Sequence, residues 1–247
     1  VWRRLFLKKS ISSVNNPIIK NAVKLKQKKY RNLFSQYLVE GYHLIEEAFK
    51  LNLLEVVFFT DDFNLDFDNA YQVNPEVMKK LSFLTTPPGI IGICKNQVNQ
   101  KLSNKVLILD NVQDPGNIGT LLRTAAAFNF DTVIAENSVD FFNEKVIRSS
   151  QGAIFKLNLL NLKIKDFILE EDYQFLVTDL SSNTDLKDLK LREKVALILG
   201  NEGSGVSEDI FAICKEKIKI KMANMESLNV GVAGGIIMHE IYQRSEE

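Results

Sequence analysis

Apolar and polar positions change period several times along the chain, and each change marks an element. After Asn16-Pro17, the apolar residues Ile18, Ala22, Val23 and Leu25 share one face with lysines opposite. That is the pattern of a helix entered through a proline. Tyr37–Val39 reads as a short strand running into a helix from Tyr42, and Leu54–Thr60 as the next strand. The acidic stretch Asp61–Asn69 reads as a loop, Pro75–Leu81 as a short helix and Gly89–Cys94 as another strand. Lys95–Lys105, KNQVNQKLSNK, is polar and lacks a period, which predicts a linker. Beyond it, apolar runs at Val106–Leu109, Thr132–Ala135, Phe175–Thr178 and Val195–Leu199, and a short one near Ile218–Lys221, predict strands with helices between them. Such runs are expected of parallel strands buried on both faces. The expectation is an α/β chain with a small N-terminal domain over residues 1–98 and a larger domain over residues 104–247.

Composition narrows the class. The chain has 247 residues, 45% hydrophobic and 25% charged, enough apolar material for a sizeable core. Its apolar runs fall short of the roughly 18–20 residues that cross a bilayer. No membrane partner is expected, and a cytoplasmic location is. The opening VWRRLFLKKS is basic, but its apolar run is too short for a secretory signal, and a transit peptide stays open. Cys94 and Cys214 stand far apart in apolar surroundings and read as buried thiols of a reducing compartment. His43 and His239 are isolated, so metal-ligand spacing is lacking.

The formal net charge is zero, yet its distribution is uneven. Ten basic residues, Arg3, Arg4, Lys8, Lys9, Lys20, Lys24, Lys26, Lys28, Lys29 and Arg31, precede the first acid, Glu40. A run of this kind is either a solvated helix face or a phosphate-binding surface. We expect RNA contact, through Lys24, Lys26, Lys28, Lys29 and Arg31.

Three segments carry candidate chemistry. NVQDPGNIGTLLRTAAAF, Asn111 to Phe128, follows an apolar run and reads as turn then helix. Pro115 and Gly116 break the chain, Asn117 lies where an N-cap would sit, and Thr120 and Arg123 fall in the first turns. Unpaired N–H groups and an Arg fork there suit an anionic or phosphate-bearing ligand. In LILGNEGSGVS, Leu197 to Ser207, glycines at 200, 203 and 205 permit close backbone approach around Glu202. In IKIKMANMESLNVGVAGGIIMHEIY, Ile218 to Tyr242, Ser227 reads as an N-cap, and Gly231, Ala233, Gly234 and Gly235 permit tight helix packing. None of these is a Rossmann or Walker fingerprint, which disfavours a Rossmann-type enzyme. In FFNEKVIRSSQGAIFKLNL, Lys145 and Arg148 share a helix face, either for RNA backbone or simply exposed.

The ordered set N-x-G-x-x-x-R-T-A, L-G-N-E-x-x-G and E-S-L-N-V-x-V-A resembles the three motifs of the SpoU, or TrmH, RNA 2′-O-ribose methyltransferases. These belong to the knotted SPOUT class and use S-adenosylmethionine. The resemblance covers most of the chain, and the VEG…L..EA segment at Val39–Ala48 is similar to the opening of the family's N-terminal substrate-binding domain. It implies a C-terminal SPOUT α/β domain with a parallel sheet and a trefoil knot, and a homodimer. It implies catalytic roles for Arg123, Asn117, Glu202, Ser227 and Asn229, and cofactor contacts from Leu199, Gly200, Ile220, Met222, Leu228 and Asn229, with no metal. One departure is that Ile220–Glu226 lacks the Pro and Gly common in relatives and is one residue shorter.

The reaction this implies delivers methyl from a sulfonium to a sugar hydroxyl, so alignment and stabilisation of a developing alkoxide dominate. Arg123 stays protonated. It would grip a neighbouring phosphate and stabilise the oxygen, unless it merely pairs with Asp110 or Asp114. The expected substrate is a ribose of structured RNA, 23S-type rRNA first. A tRNA substrate, or a non-catalytic RNA-binding relative, stays open.

Overall fold

In the computed structural model the described residues are 9–61, 67–96, 101–182, 184 and 186–246. The chain divides into two compact units, Val1–Asn96 and Gln97–Glu247. The linker expected over Lys95–Lys105 is described only at its ends, since residues 97–100 lie outside the described residues, as do residues 1–8 and part of the Asp61–Asn69 loop.

The first unit runs β1 (Lys9–Ile11), α1 (Pro17–Lys24), α2 (Lys28–Phe34), β2 (Gln36–Glu40), α3 (Tyr42–Lys50), β3 (Leu54–Phe59), β4 (Ala70–Val73), α4 (Pro75–Leu81) and β5 (Ile90–Lys95). Its sheet has the order β1-β4-β3-β5-β2, with β5 antiparallel to both neighbours and β3, β4 and β1 parallel. Asn16 caps α1 by accepting from the Ile18 N–H at 2.8 Å, and Asn74 caps α4 by accepting from Val77 at 2.9 Å. Period-2 alternation assigns the faces. Ile91 and Ile93 pack with Ile19, Ala22 and Leu25 of α1 and Val77, Met78 and Leu81 of α4. Between them Gly92 turns the other way, towards Ile45 of α3, where a methyl would overlap that side chain. The sequence pattern missed β1 and β4, short strands whose half-exposed residues barely alternate.

The second unit runs β6 (Lys105–Asp110), α5 (Pro115–Ala127), β7 (Thr132–Glu136), α6 (Glu144–Ser150), β8 (Asn158–Asn161), α7 (Ile164–Glu170), β9 (Gln174–Thr178), β10 (Val195–Leu199), α8 (Glu208–Ile213), β11 (Glu216–Ile218) and α9 (Val230–Glu246). All six strands are parallel, in the order β11-β9-β10-β6-β7-β8. Val106, Ile108, Ile134 and Ile198 point to one side, where Ile164 and Phe167 of α7 and Ile210 of α8 bury them. Leu199 points to the other, against Gly234 of α9, where any side chain would overlap Leu199 and Leu121 of α5. The last strand ends earlier than its apolar pattern suggested, at Ile218 and not near Lys221.

One topological fact positions the site. β11 lies at the edge of the sheet, beyond β9, whereas α9 packs on α5 and reaches Leu199 of β10. Residues 219–229 must therefore recross the carboxyl ends of β9 and β10. At the far end of α9, the Arg244 guanidinium donates to the carbonyls of Leu186 and Leu189 and fastens the helix to the β9–β10 connection. Among the described residues no helix is long and apolar enough to cross a membrane.

Candidate active site

Parallel strands leave a crevice outside their carboxyl ends, where loops meet. Here β9, β10 and β11 end side by side, and the recrossing chain walls the crevice into a half-open hollow of about 280 Å³. Its walls are the ends of β9 and β10, the loop 200–205, residues 218–230 and one face of α9. Leu199, Gly200, Ile220, Met222, Leu228 and Asn229 all line it, together with Glu202 and Ser227. The sequence reading had not included Thr178, Asp179, Leu180, Ala233 or Ile237, which line it as well. Parallel pairing of β9 beside β10 is the signal that would have found the first three, because neighbouring parallel strands deliver their loops to the same end.

The loop after β10 is folded back on itself. Asn201 and Gly205 exchange backbone hydrogen bonds of 2.9 and 3.0 Å. The Asn201 carboxamide accepts from the N–H groups of Gly203 and Ser204 and donates to the Asn111 carbonyl at 3.0 Å. Gly200 lies so close to the backbone of Gly205 and Val206 that a Cβ would have no room.

That fold places Glu202 against the loop after β6. Its carboxylate accepts from the N–H groups of Gln113 (3.3 Å) and Asp114 (3.2 Å) and from Asn117 Nδ2 (2.9 Å). Partial burial alone would raise the carboxyl pKa, but the hydrogen bonds from Asn117 and the backbone outweigh it and hold Glu202 below the usual glutamate value. Asn117 in turn accepts from Asn229 Nδ2 at 2.9 Å, and Asn229 Oδ1 accepts from the N–H groups of Gly231 and Val232. A carboxylate, two carboxamides and a helix start thus form one chain of hydrogen bonds across all three motif segments.

Two caps differ from the sequence reading. Asp114, not Asn117, caps α5: its Oδ1 accepts from the Asn117 N–H at 2.8 Å, and Pro115 takes the first helical position. This frees the Asn117 side chain for Glu202 and Asn229. Asn229, not Ser227, caps α9, and Ser227 is left exposed on the pocket rim.

Arg123 is exposed on α5 and does not line the hollow. The carboxylates that the sequence offered as its partners are engaged elsewhere. Asp110 is buried and accepts from the N–H and hydroxyl of Ser207 at 2.7 and 2.6 Å, and Asp114 is the cap. Among the described residues no ion pair joins either to Arg123.

The basic candidates divide. Lys28 and Lys29 are exposed, Lys24 is partly so, and Lys145 and Arg148 lie exposed on α6. Lys26 and Arg31 are engaged within the unit. Lys26 Nζ donates to the Ser82 carbonyl at 2.6 Å over the Phe83 ring, and its burial lowers its pKa against the pull of Glu40. Arg31 is only 8% exposed, and its guanidinium donates to the Leu25 and Lys26 carbonyls at the end of α1.

A parallel sheet with a glycine-edged hollow outside the carboxyl ends of its strands places the molecule among the α/β proteins that bind a ligand at that edge. Residues 104–239 match the SpoU rRNA Methylase family, and residues 16–92 match the MRM3-like substrate binding domain. The chain belongs to the SpoU rRNA methylase family, whose members are S-adenosylmethionine-dependent RNA methyltransferases. It is 31% identical over 246 residues to the 23S rRNA (guanosine(2553)-2′-O)-methyltransferase RlmP of Bacillus subtilis, covering 94% of this chain and 99% of that one. An AdoMet-bound rRNA methyltransferase from Sinorhizobium meliloti superposes with a TM-score of 0.82 at 25% identity, over 96% of this chain and 98% of its own. An RNA 2′-O ribose methyltransferase superposes with a TM-score of 0.77 at 26% identity, over 96% and 100% of the two chains.

Proposed function

We propose that this protein methylates the 2′-hydroxyl of a ribose in 23S-type rRNA in the cytoplasm, as a homodimer, with S-adenosylmethionine bound in the hollow at the ends of β9, β10 and β11. The observation that carries this is the hydrogen-bonded chain Glu202–Asn117–Asn229 beside that hollow. The named activity of the Bacillus subtilis relative supports the choice of substrate.

The lining suits the cofactor. Leu199, Ile220, Leu228 and Ile237 offer apolar walls for an adenine, and Asp179 and Glu202 offer negative charge near a sulfonium. When bound, the cofactor supplies an electrophilic methyl group. The protein's own part is positioning. Glu202 and Asn117 hold the turn before α5 rigid, and Asn229 ties that turn to α9. Arg123, two turns along α5 and free of protein carboxylates among the described residues, is placed to meet a phosphate and stabilise the oxygen as its proton leaves.

Dimerisation is supported by α9, where Val232 and Ile236 lie one turn apart and are 51% and 45% exposed. We also infer that the recrossing at residues 219–229 is the trefoil passage. The deciding experiment is a ribose-methylation map of total RNA from cells with and without the protein, paired with calorimetry of S-adenosylmethionine binding. One lost 2′-O-methyl mark in 23S-type rRNA is expected. A lost tRNA mark would change the substrate, and no lost mark with no cofactor binding would remove the enzyme reading.

A further inference from the structure

α2 is an odd helix for a packed unit. Its one buried side chain is Arg31, while Tyr30 is half-buried and Leu33 and Phe34 stand exposed. Leu33 is 65% exposed and Phe34 40%. Tyr30 and Phe34, one turn apart, stack with ring centroids 6.0 Å apart and planes 25° off parallel. Lys24 Nζ and Lys29 Nζ each stand 5.8 Å from the Tyr30 ring centroid, and Lys28 is exposed on the same helix. None of these apolar side chains is among the buried residues of the first unit.

Exposed aromatic surface costs solvation unless something covers it. Charge selects what covers it. The flanking groups are lysines, and the segment from Lys9 to Val39 holds no acid. A polyanion with flat apolar faces fits, and single-stranded RNA is that polymer: its bases stack on aromatic rings while lysines take the phosphates. We propose that the Tyr30–Phe34 face is a stacking platform for an unpaired base of the RNA substrate, with Lys24, Lys28 and Lys29 on the adjoining phosphates. This rests on reading the chain as an RNA-modifying enzyme and adds to it a preference for unpaired nucleotides, set outside the methyl-transfer unit.

The test uses the full-length protein, a fluorescent oligoadenylate and a blunt RNA duplex of equal length. Wild type should prefer the single strand. Tyr30→Ala with Phe34→Ala should weaken single-strand binding by about 10- to 100-fold, leave duplex binding and the salt slope unchanged, and keep cofactor affinity. Phe34→Ala alone should show part of that loss. Neutralising Lys24, Lys28 and Lys29 to Ala should instead flatten the single-strand salt slope by about 2. Phe34→Trp, with Trp2→Phe so that it is the sole indole, should be quenched by oligoadenylate. The proposal falls if wild type shows no single-strand preference, if the double variant binds oligoadenylate normally, or if it loses both RNAs equally. It also falls if the loss appears only on phosphatidylserine vesicles. Methyl transfer by wild type is measured alongside. Its absence with the single-strand effect intact would remove the enzyme reading and leave the platform standing.

Discussion

Asn229 donates from Nδ2 to Asn117 Oδ1 at 2.9 Å, and it does so because its own oxygen is committed to the first N–H groups of α9. A carboxamide has one accepting end and one donating end. Once Asn229 is fixed, Asn117 must face it with oxygen and present its amino group to Glu202, as observed. The start of one helix thereby dictates the rotamer of a side chain more than a hundred residues earlier.

Asn117→Ala should therefore cost more than one contact, because it removes the Asn229 amino group's acceptor and one of the three donors that hold Glu202. We expect methyl transfer to fall by roughly 10- to 100-fold. Cofactor affinity should stay within a few-fold, because Asn117 does not line the hollow. Single-turnover rates and calorimetry check this, and an unaltered rate would separate the hydrogen-bonded chain from catalysis.

Glu202 gives a pH signature. Its folded pKa lies below the ordinary 4.5, so the stabilisation it contributes is fully present above 4.5 and is lost as pH falls through the folded value. Glu202→Gln lacks that titration. The difference in Tm between wild type and Glu202→Gln should be constant near neutrality and shrink below pH 4.5. A difference that grows in acid would contradict the sign.

Arg123→Ala should leave S-adenosylmethionine affinity within a few-fold while largely abolishing methylation, and Arg123→Lys should fail to restore the wild-type rate, since a point charge cannot grip a phosphate with two parallel hydrogen bonds. Normal turnover in either variant would remove Arg123 from the mechanism.

Gly234→Val would push a side chain into Leu121 and Leu199. A loss of about 1–3 kcal/mol in unfolding free energy is expected, with weakened cofactor binding because Leu199 lines the hollow. Denaturant titration and calorimetry test the two effects separately.

Val232→Glu together with Ile236→Glu should turn a dimer into a folded monomer, as both side chains are exposed within the single chain. Light scattering coupled to gel filtration measures it. A wild-type protein that is already monomeric at micromolar concentration would refute the dimer.

Much of this was legible before the structure. Buried parallel strands such as Val195–Leu199 announce themselves as unbroken apolar runs, and Pro75–Leu81 is framed by its own cap and proline. The segments that meet at the hollow were named from their glycines and motif order. What periodicity could not supply was partnership across distance. Asn117 read as a cap because short-range rules favour Asn there, and only the fold revealed Asp114 taking that post. Lys26 and Arg31 read as surface charges because sequence shows charge and not burial, and their long stems let them reach carbonyls inside the unit.

The hollow borrows its walls from segments near residues 178, 200 and 218–237, which leave the ribosome at different moments. The basic N-terminal unit, with a core of its own, is finished long before the last of them. The order of synthesis thus delivers the fold of the first unit before the segments that wall the hollow can meet.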